Sequence, residues 1–516
     1  MEQQEDLGSA SAGRSQLERE YGRLQELLQS CGLPESLVDV WELARHEAAH
    51  PPTRDELLAG VLGTGIRPWQ LSALVREVLF HAVPNGPLRL NTRERLGQVG
   101  EAINKVDNLS GVLRLQADDG VNEVLFFEAL RMAHRQIPSQ NRADMYAMVR
   151  CFKVFGTPAM SPMLERRTGL TIREFTFLGI AVSGHLARRF DINSDQDYEE
   201  FGVTKERAAA FFDLLKMDWR DIGRAAESQG GVDENWSYMW NPLESTPFVA
   251  AHPAHPNRLY CPVPQLLFRR FGGGLYYDLV DEEGFNKAFG DSIEAYVGEL
   301  LALAFSSPSF RIQEEKPYLV KKVEHRGPDW ILGDAGGNLF IECKGKRLSH
   351  EAKSAGGDEK LREEVGKLAD FIVQNYKNVV EAMAGKSHWE RNSNPCWPLL
   401  LTFEDWYING PVMYQVLDNA VRERLTKKKL DPTLIETMPY SVMSCREFEL
   451  AMGVIADVGI TRFFRGKQDG DLRSWLWPDY QAKRFPKGRV IHLMRAFSAD
   501  LKTILPEAVW PSLDNA

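Results

Sequence analysis

The sequence of 516 residues contains only six cysteines, and no two of them form a C-x-x-C pair. This scattered placement argues against a structural zinc module and against a disulfide framework. Such a chain is typical of a reducing compartment, so we predict a cytoplasmic location. No apolar stretch approaches the ~20 residues that a membrane-spanning helix needs, and the first residues do not resemble a signal peptide. We therefore expect no membrane among the partners.

The sequence also lacks the G-x-x-x-x-G-K-[ST] motif of P-loop ATPases. The glycine-rich stretch FGGGLYYD, which begins at Phe271, is too short to match a dinucleotide-binding fingerprint. No internal repeat of fixed period is present. The sequence therefore gives no indication of a P-loop ATPase, of a dinucleotide-binding site or of a repeat architecture.

Acidic residues outnumber basic ones, with 72 Asp plus Glu against 62 Lys plus Arg and a net charge of −10. The distribution is uneven, because residues 421–502 contain 16 Lys plus Arg and only 10 Asp plus Glu. That segment has a local charge of +6 and the remainder −16. A basic region on an acidic protein is a candidate phosphate-binding face, although a solvated helix surface has the same composition.

Apolar periodicity divides the chain into parts. Residues 1–15 are small and polar, which predicts a disordered tail. Residues 16–240 have apolar residues at three- and four-residue spacing between Pro and Gly breaks, which predicts a helical region. We expect this region to serve recognition, regulation or assembly, including the binding of a partner protein or a second copy. Residues 241–284, which begin with a proline-rich stretch, are predicted to be a connector, and residues 285–516 a second domain.

Helices and strands are predicted to alternate in this second domain. FNKAFGDSIEAYVGELLALAF predicts an amphipathic helix, and FRIQEEKPYLV predicts a strand and a loop. GPDWILGDAGGNLFIECKGK, from Gly327 to Lys346, predicts a β-hairpin with a turn rich in Gly and Asp. A long helix, a strand, and a strand that enters a helix follow. This order predicts an α/β domain with a mixed sheet.

The hairpin contains charged residues at positions where a strand is expected to be half buried. Residues two apart on a strand face the same side, so Glu342 and Lys344 share one face and Cys343 lies on the other. The turn is long enough to bring Asp329 back beside Glu342. Burying two carboxylates and an ammonium is costly unless they are paired or bind an ion. Two carboxylates suit Mg²⁺, which activates a bound water that Lys344 can position or help to deprotonate.

This combination resembles the core of the PD-(D/E)XK nuclease superfamily. In that family a Pro-Asp and a Glu-x-Lys lie on adjacent strands, and the matching residues here are Pro328-Asp329 and Glu342-Cys343-Lys344. The resemblance spans roughly residues 285–403. It implies that the C-terminal α/β domain has a mixed sheet of restriction-endonuclease-like type, preceded in this chain by an α-helical N-terminal region.

The resemblance implies a metal-dependent nuclease that hydrolyses phosphodiester bonds in nucleic acid, with DNA as the expected substrate and Mg²⁺ or Mn²⁺ as the cofactor. The catalytic residues that it implies are Asp329, Glu342, Lys344 and, from the preceding helix, Glu294. The residues that it implies at the metal are Asp329, Glu342 and Cys343. Restriction, repair and defence against foreign DNA are the settings expected for such an enzyme.

The family often has polar residues on the helix that follows the hairpin. Gln374 and Tyr376 are the candidates here, although their spacing differs from the usual one. The predicted nucleic-acid contacts are Lys346, Lys483, Arg484, Lys487 and Arg489. Among the aromatic residues near the last four, Trp475, Trp477 and Tyr480 can either stack on unpaired bases or pack in the core, and we favour the core for the tryptophans.

Two other functions stay open. Glu-x-Lys alone is a weak pattern that recurs at Glu314-Glu315-Lys316, so an exposed hairpin with an ordinary ion pair is an alternative. A non-catalytic DNA-binding or scaffold protein is a further alternative. The stretch His46-Glu47-Ala48-Ala49-His50 matches the H-E-x-x-H motif of zinc metallopeptidases. The prolines at 51 and 52 end that helix at or near His50, which argues against a zinc site.

Overall fold

The computed structural model describes residues 2–49, 59–116, 121–140, 144–228, 231–252, 254–314, 316–320, 322–353 and 358–507. The N-terminal part is helical, as its apolar spacing predicts. Its helices are α1 (Glu2–Gln29), α2 (Leu33–Ala49), α3 (Leu71–His81), α4 (Arg93–Gln116), α5 (Val121–Gln140), α6 (Met145–Phe155), α7 (Ser161–Thr168), α8 (Ile172–Leu186), α9 (Lys205–Leu215) and α10 (Trp219–Ser228). No helix within the described ranges is long and apolar enough to cross a membrane.

Helix α1 differs from the prediction of a disordered tail over residues 1–15. The helix begins at Glu2 and continues to Gln29. Its second half buries Leu17, Leu24 and Leu28 in an apolar cluster that includes side chains of α4. A helix stabilised there can extend through the polar residues before it, because each further residue adds one backbone hydrogen bond to an existing nucleus.

The predicted connector, residues 241–284, contains regular and buried structure. It supplies two strands of a small sheet with the order β1-β4-β3-β2, whose members are β1 (Asp191–Asn193), β2 (Lys216–Asp218), β3 (Phe248–Ala250) and β4 (Arg258–Tyr260). All three residues of β3 are buried. Helices α11 (Pro264–Phe271) and α12 (Leu275–Leu279) follow. Two of the prolines begin helical turns: Pro242 starts a short 3-10 helix and Pro264 starts α11.

The C-terminal part has the predicted alternation of helices and strands. Its strands are β5 (Arg311–Glu314), β6 (Tyr318–Val320), β7 (Val323–His325), β8 (Trp330–Gly333), β9 (Asn338–Lys344), β10 (Cys396–Thr402) and β11 (Ser441–Ser444). Its helices are α13 (Phe285–Ala304), α14 (His350–Lys353), α15 (Asp358–Met383), α16 (Gly410–Lys427), α17 (Leu434–Thr437), α18 (Cys445–Val458), α19 (Ile460–Lys467), α20 (Trp477–Arg484), α21 (Leu493–Ala496) and α22 (Ser498–Ile504).

Five strands form the mixed sheet that the sequence predicts, in the order β11-β10-β9-β8-β5. Strands β9, β10 and β11 are parallel, whereas β8 is antiparallel to both β9 and β5. Side chains alternate between two apolar layers, as a strand buried on both faces requires. Ile341 of β9 lies in a cluster with α13 and α18, and its neighbour Phe340 lies in a cluster with α15 and α16.

The apolar cores extend across the predicted boundary between the two parts. Phe155 of α6 stacks on Phe289 of α13, with ring centroids 5.6 Å apart. On the other face of the sheet, Phe126 and Leu130 of α5 belong to the same buried cluster as side chains of α15 and α16. The N-terminal helices therefore supply part of the cover of the mixed sheet.

Candidate functional site

The β8–β9 hairpin places the two motif carboxylates opposite each other. Trp330 pairs with Ile341 in the antiparallel ladder, so the next position along β8, Asp329, faces Glu342. The amide N–H of Cys343 donates to Oδ2 of Asp329, with an N···O distance of 2.5 Å. Pro328 before it is buried and has no N–H to satisfy. The predicted strand geometry thus brings Asp329 beside the Glu-x-Lys residues.

A second anchor holds this strand end against helix α13. The indole N–H of Trp330 donates to the main-chain carbonyl of Glu294 at 3.0 Å. Gly298, one turn further along α13, leaves room for the indole, because a Cβ there would clash with the ring. Glu294 is half-buried, and after burial and the charge of Asp329 its negative charge makes a smaller contribution to the raised pKa of Glu342. The main-chain carbonyl of Glu294 therefore lies against Trp330, the residue after Asp329.

Glu342 is buried, with 2% of the residue exposed, and both of its oxygens have partners. Nζ of Lys344 donates to Oε1 at 2.6 Å, and Nδ2 of Asn378 donates to Oε2 at 3.3 Å. Lys344 also lies over the ring of Phe371, 5.5 Å from its centroid. The ion pair and the ring fix the position of the ammonium at the end of β9.

The electrostatics of the site favour protons on its acids. Burial, and then the charge of Asp329, raise the pKa of Glu342 to about 8. Burial also raises the pKa of Asp329, against the opposing effects of Lys344 and of the Cys343 amide. For Lys344, burial lowers the pKa, but the neighbouring Glu342 carboxylate outweighs it and raises the pKa overall. Lys344 is therefore an ammonium at neutral pH.

Cys343 does not contribute its side chain to this site. Its thiol points to the opposite face of β9, where it is buried in the cluster with α13 and α18. Burial raises the pKa of the thiol well above its usual value, so no thiolate forms there at neutral pH. The pleat of the strand is the cause, since neighbouring residues face opposite sides. Cys343 can take part only through its main-chain atoms.

The polar residues of α15 that face the sheet are not the predicted ones. Gln374 is exposed, and Tyr376 is buried with its hydroxyl donating to the Met438 carbonyl at 2.9 Å. Instead, Asn378 contacts Glu342, and Asn375 donates to the carbonyls of Phe340 in β9 and Leu399 in β10. The sequence did contain a signal for this contact. Phe371, Asn375 and Asn378 are four and three residues apart, so they lie on one face of a helix.

Lys346 occupies a second buried ion pair next to the site. Its Nζ lies 2.7 Å from Oε2 of Glu364, a residue of α15 that is 1% exposed. A nucleic-acid phosphate would have to compete with this carboxylate for the ammonium. The predicted phosphate contact of Lys346 therefore requires the ion pair to open.

The other predicted nucleic-acid residues lie elsewhere on the surface. Lys483, Arg484, Lys487 and Arg489 are all exposed. Arg484 pairs with Asp469 and Arg489 with Asp457. Asp457 is near the end of α18, three residues before Ile460, whose amide donates to Asp334 in the β8–β9 turn. Arg489 thus lies towards the turn of the hairpin, whereas Lys344 lies at the other end of β9.

The aromatic residues of this segment are mostly core residues. Trp477 and Tyr480 are 4% and 0% exposed, and the Trp477 indole donates to the Val442 carbonyl at 2.7 Å. Trp475 is 37% exposed. Trp477 is therefore a core residue, as we favoured from the sequence. Trp475 differs from that expectation, and of these three aromatic residues it is the one whose ring a base could reach.

The first four residues of the H-E-x-x-H stretch, His46 to Ala49, lie in α2 (Leu33–Ala49). Oε2 of Glu47 accepts a hydrogen bond from the side-chain amide of Gln265 at 3.3 Å. His50 lies outside the described residues. Within the described part of the chain, no group of three or more His, Cys, Asp or Glu side chains is placed to hold a metal ion.

No protein-family model, curated protein or solved structure matches the chain.

Proposed function

We propose that this protein is a metal-dependent nuclease that hydrolyses phosphodiester bonds in nucleic acid, with DNA as its substrate. The observation that supports the proposal is the meeting of Asp329, Glu342 and Lys344 at one strand end, where Glu342 is buried and its pKa is raised to about 8. A buried, strongly perturbed carboxylate beside a second carboxylate is typical of functional sites. The position of Asp329 and Glu342 on adjacent strands of a mixed sheet supports the restriction-endonuclease-like type.

The residues at this site fit a hard divalent cation. Asp329 and Glu342 offer carboxylate oxygens, which Mg²⁺ and Mn²⁺ prefer, and both carboxylates have raised pKa values in a site that holds only one ammonium. These two side chains would hold the cation, with Cys343 limited to its main chain and Glu294 adding negative charge nearby. When bound, the cation stabilises negative charge on the phosphodiester as a Lewis acid.

Lys344 supplies the remaining electrostatic function. Its pKa is raised by Glu342, so Nζ holds its proton at neutral pH. An ammonium stabilises the charge that develops on the phosphate oxygens and can orient a water molecule, but it cannot accept a proton from that water. Of the two roles expected from the sequence, the electrostatic and positioning role is the one that this protonation state supports.

The first experiment compares DNA cleavage by the wild type, Lys344→Ala and Asp329→Asn in Mg²⁺. We expect both variants to stay folded and to bind DNA, while the cleavage rate falls by about 100-fold or more. Gln374→Ala is the matched control, because Gln374 is an exposed residue of α15 beside Asn375. Cleavage that survives in Lys344→Ala at the wild-type rate would refute the assignment.

One observation favours a second candidate, a non-catalytic DNA-binding or scaffold protein. Both oxygens of Glu342 already have partners, Lys344 and Asn378. A cation at Oε1 would have to displace the ammonium. Titration of Mn²⁺ in the presence and absence of DNA separates the candidates: no metal binding and no cleavage would support the non-catalytic protein.

A zinc metallopeptidase through His46 and His50 would instead be indicated by stoichiometric zinc that His46→Ala loses.

A further inference from the structure

A large cavity lies between the N-terminal helices and the C-terminal part of the chain, which begins with α13. It has a volume of about 600 Å³. Its walls come from α3, α5, α6 and the segment 237–278 on one side, and from the chain after β9 and after β10 on the other. Pockets of this size hold ligands of the size of a drug or a cofactor. The cavity is separate from the site formed by Asp329, Glu342 and Lys344. Both lie at the C-terminal ends of strands β9 and β10.

Polar atoms without partners line this cavity. Buried side-chain atoms on its walls that form no hydrogen bond with described residues include Nε of Arg347, Oε2 of Glu404, Nε2 of His134 and Oε1 of Gln265. An unpaired buried polar atom is destabilising, so native proteins pair almost all of them with protein, water or ligand. These atoms make part of the cavity wall polar and able to pair with water or with a polar ligand.

On the wall formed by the C-terminal part, the cations Arg347, Lys353 and Arg446 outnumber the carboxylates Glu404 and Asp405 by one charge. Oε1 of Glu404 accepts hydrogen bonds from both Arg347, at 3.1 Å, and Lys353, at 2.6 Å. One carboxylate thus serves two cations. At the rim, the exposed Arg269 donates to the Pro138 carbonyl and forms no ion pair within the described ranges. Guanidinium groups bind phosphate oxygens in pairs, which makes a phosphate the best-matched anion.

Aromatic rings stand beside these cations. Trp240 and Tyr277 line the cavity and expose 39% and 37% of their surface. The guanidinium of Arg347 lies 4.8 Å from the ring centroid of Tyr277. Exposed aromatic faces stack on nucleobases, and arginines next to them bind phosphates. We propose that the cavity binds a free nucleoside triphosphate, with the phosphates at Arg347 and Lys353 and the base at the aromatic rim.

The same residues connect the cavity to the acidic site. Thr402, the last residue of β10, pairs with Lys344, and the amide of Phe403 donates to the Lys344 carbonyl at 3.2 Å. Glu404 and Arg347 follow these strand ends by two and three residues, and their ion pair joins the two segments. A phosphate that binds Arg347 competes with Glu404 and so acts on the segment that positions Lys344. Nucleotide binding therefore regulates the site; this second part rests on the proposed function.

Binding is tested by calorimetry on the full chain with ATP, GTP, CTP and UTP in EDTA. We expect at least one of the four to bind with a micromolar dissociation constant, and adenosine and inorganic triphosphate to bind at least tenfold more weakly than ATP if ATP is that nucleotide. Lys353→Gln should weaken binding by about tenfold or more, because it removes one charge-assisted hydrogen bond. Lys205→Gln, at an exposed lysine of α9, is the matched control and should change nothing. Arg269→Gln at the rim is the second variant, in case Lys353→Gln does not fold.

Three results would overturn the site: no binding of any of the four nucleotides at millimolar concentration, equal affinity for inorganic triphosphate, or wild-type affinity in both cavity variants. Displacement of the bound nucleotide by a 5′-phosphorylated oligonucleotide with higher affinity would show that the cavity takes a strand end, which also contradicts the proposal. If the wild type cleaves DNA, the nucleotide should change the rate severalfold and Lys353→Gln should abolish that response. A chain that cleaves no nucleic acid would refute the nuclease, while the calorimetry still decides the nucleotide site.

Discussion

At the scale of single residues, burial sets the protonation of several acids, and Glu447 is the clearest case outside the candidate site. It stands at the third position of α18, where its Oε2 accepts from the Ser444 amide in a capping box. Burial, and then the charge of Asp405, raise its pKa to about 8. The hydroxyl of Ser444 donates to Asp405 at 2.5 Å, which keeps the two carboxyl groups near each other.

This raised pKa gives a pH dependence of known sign. The folded state keeps the proton of Glu447 up to about pH 8, whereas the unfolded chain releases it near the ordinary value for glutamate. Folding therefore takes up a proton between these values, and the wild type loses stability as the pH rises through them. Gln at 447 can keep the capping-box hydrogen bonds and does not titrate.

We predict that Glu447→Gln gains free energy of unfolding relative to the wild type as the pH rises from about 5 to 8, by about 1.4 kcal/mol per pH unit. Urea unfolding of both proteins at pH 5, 6.5 and 8 measures the difference between their free energies of unfolding. A difference that stays constant over this range would show that Glu447 is ionised in the folded state.

At the scale of secondary-structure elements, α15 connects two parallel strands through one side chain. Nδ2 of Asn375 donates to the carbonyls of Phe340 and Leu399 at 3.0 and 3.1 Å, and the residue is 1% exposed. These carbonyls belong to the adjacent strands β9 and β10. The amide therefore helps to hold the helix over the strand pair that ends at Lys344.

We predict that Asn375→Ala lowers the free energy of unfolding by about 2–4 kcal/mol, because it removes two buried hydrogen bonds. The neighbouring Gln374→Ala, at an exposed position, should change it by less than about 0.5 kcal/mol. Chemical denaturation of the two variants makes the comparison. Equal effects would mean that the amide of Asn375 is not a significant contact.

At the scale of the whole molecule, the N-terminal helices and the mixed sheet share apolar cores. Phe126 of α5 is 0% exposed in the cluster that contains α15 and α16, whereas the adjacent Leu125 is 44% exposed. We predict that Phe126→Ala destabilises α15 and β10 by about 3–5 kcal/mol, through the lost contacts and the cavity left behind. Leu125→Ala should have little effect.

Hydrogen exchange read by mass spectrometry measures this prediction by region. Peptides from α15 and β10 should exchange faster in Phe126→Ala, although these elements are far from position 126 in the sequence. Protection that stays unchanged there would show that the two halves are stabilised independently.

The charge asymmetry also belongs to the whole molecule. Lys483 and Lys487 are exposed and form no ion pair with other described residues, whereas Arg484 and Arg489 do. If the proposed nuclease uses this face for DNA, Lys483→Gln combined with Lys487→Gln should reduce the slope of log affinity against log salt by about 1.8, since each contact with duplex DNA contributes about 0.9. Binding measured from low to high salt gives the slope. An unchanged slope would make this segment a solvated surface.

The order of helices and strands in the C-terminal part was available from the sequence. Local apolar periodicity decides whether a segment can bury one face. This is why α13, the β8–β9 hairpin, the long helix α15 and the strand β11 that enters α18 follow one another in the predicted order. The limits of the N-terminal part were not available in this way. The tail over residues 1–15 is helical because a packed segment follows it. Within residues 241–284, strand β3 is buried, and side chains such as Leu243 and Leu266 pack in the apolar cluster of the N-terminal helices.

The sequence by itself determined which residues of the hairpin share a face, because the two-residue period of a strand is a local property. It therefore placed Glu342 and Lys344 together and Cys343 on the other side. Only the tertiary structure decided that Asn378 contacts Glu342, that Lys346 is paired with Glu364, and that Arg347 and Lys353 share Glu404 in a cavity. These contacts join segments that are far apart along the chain, and their geometry follows from how the helices pack on the sheet, which no local pattern contains.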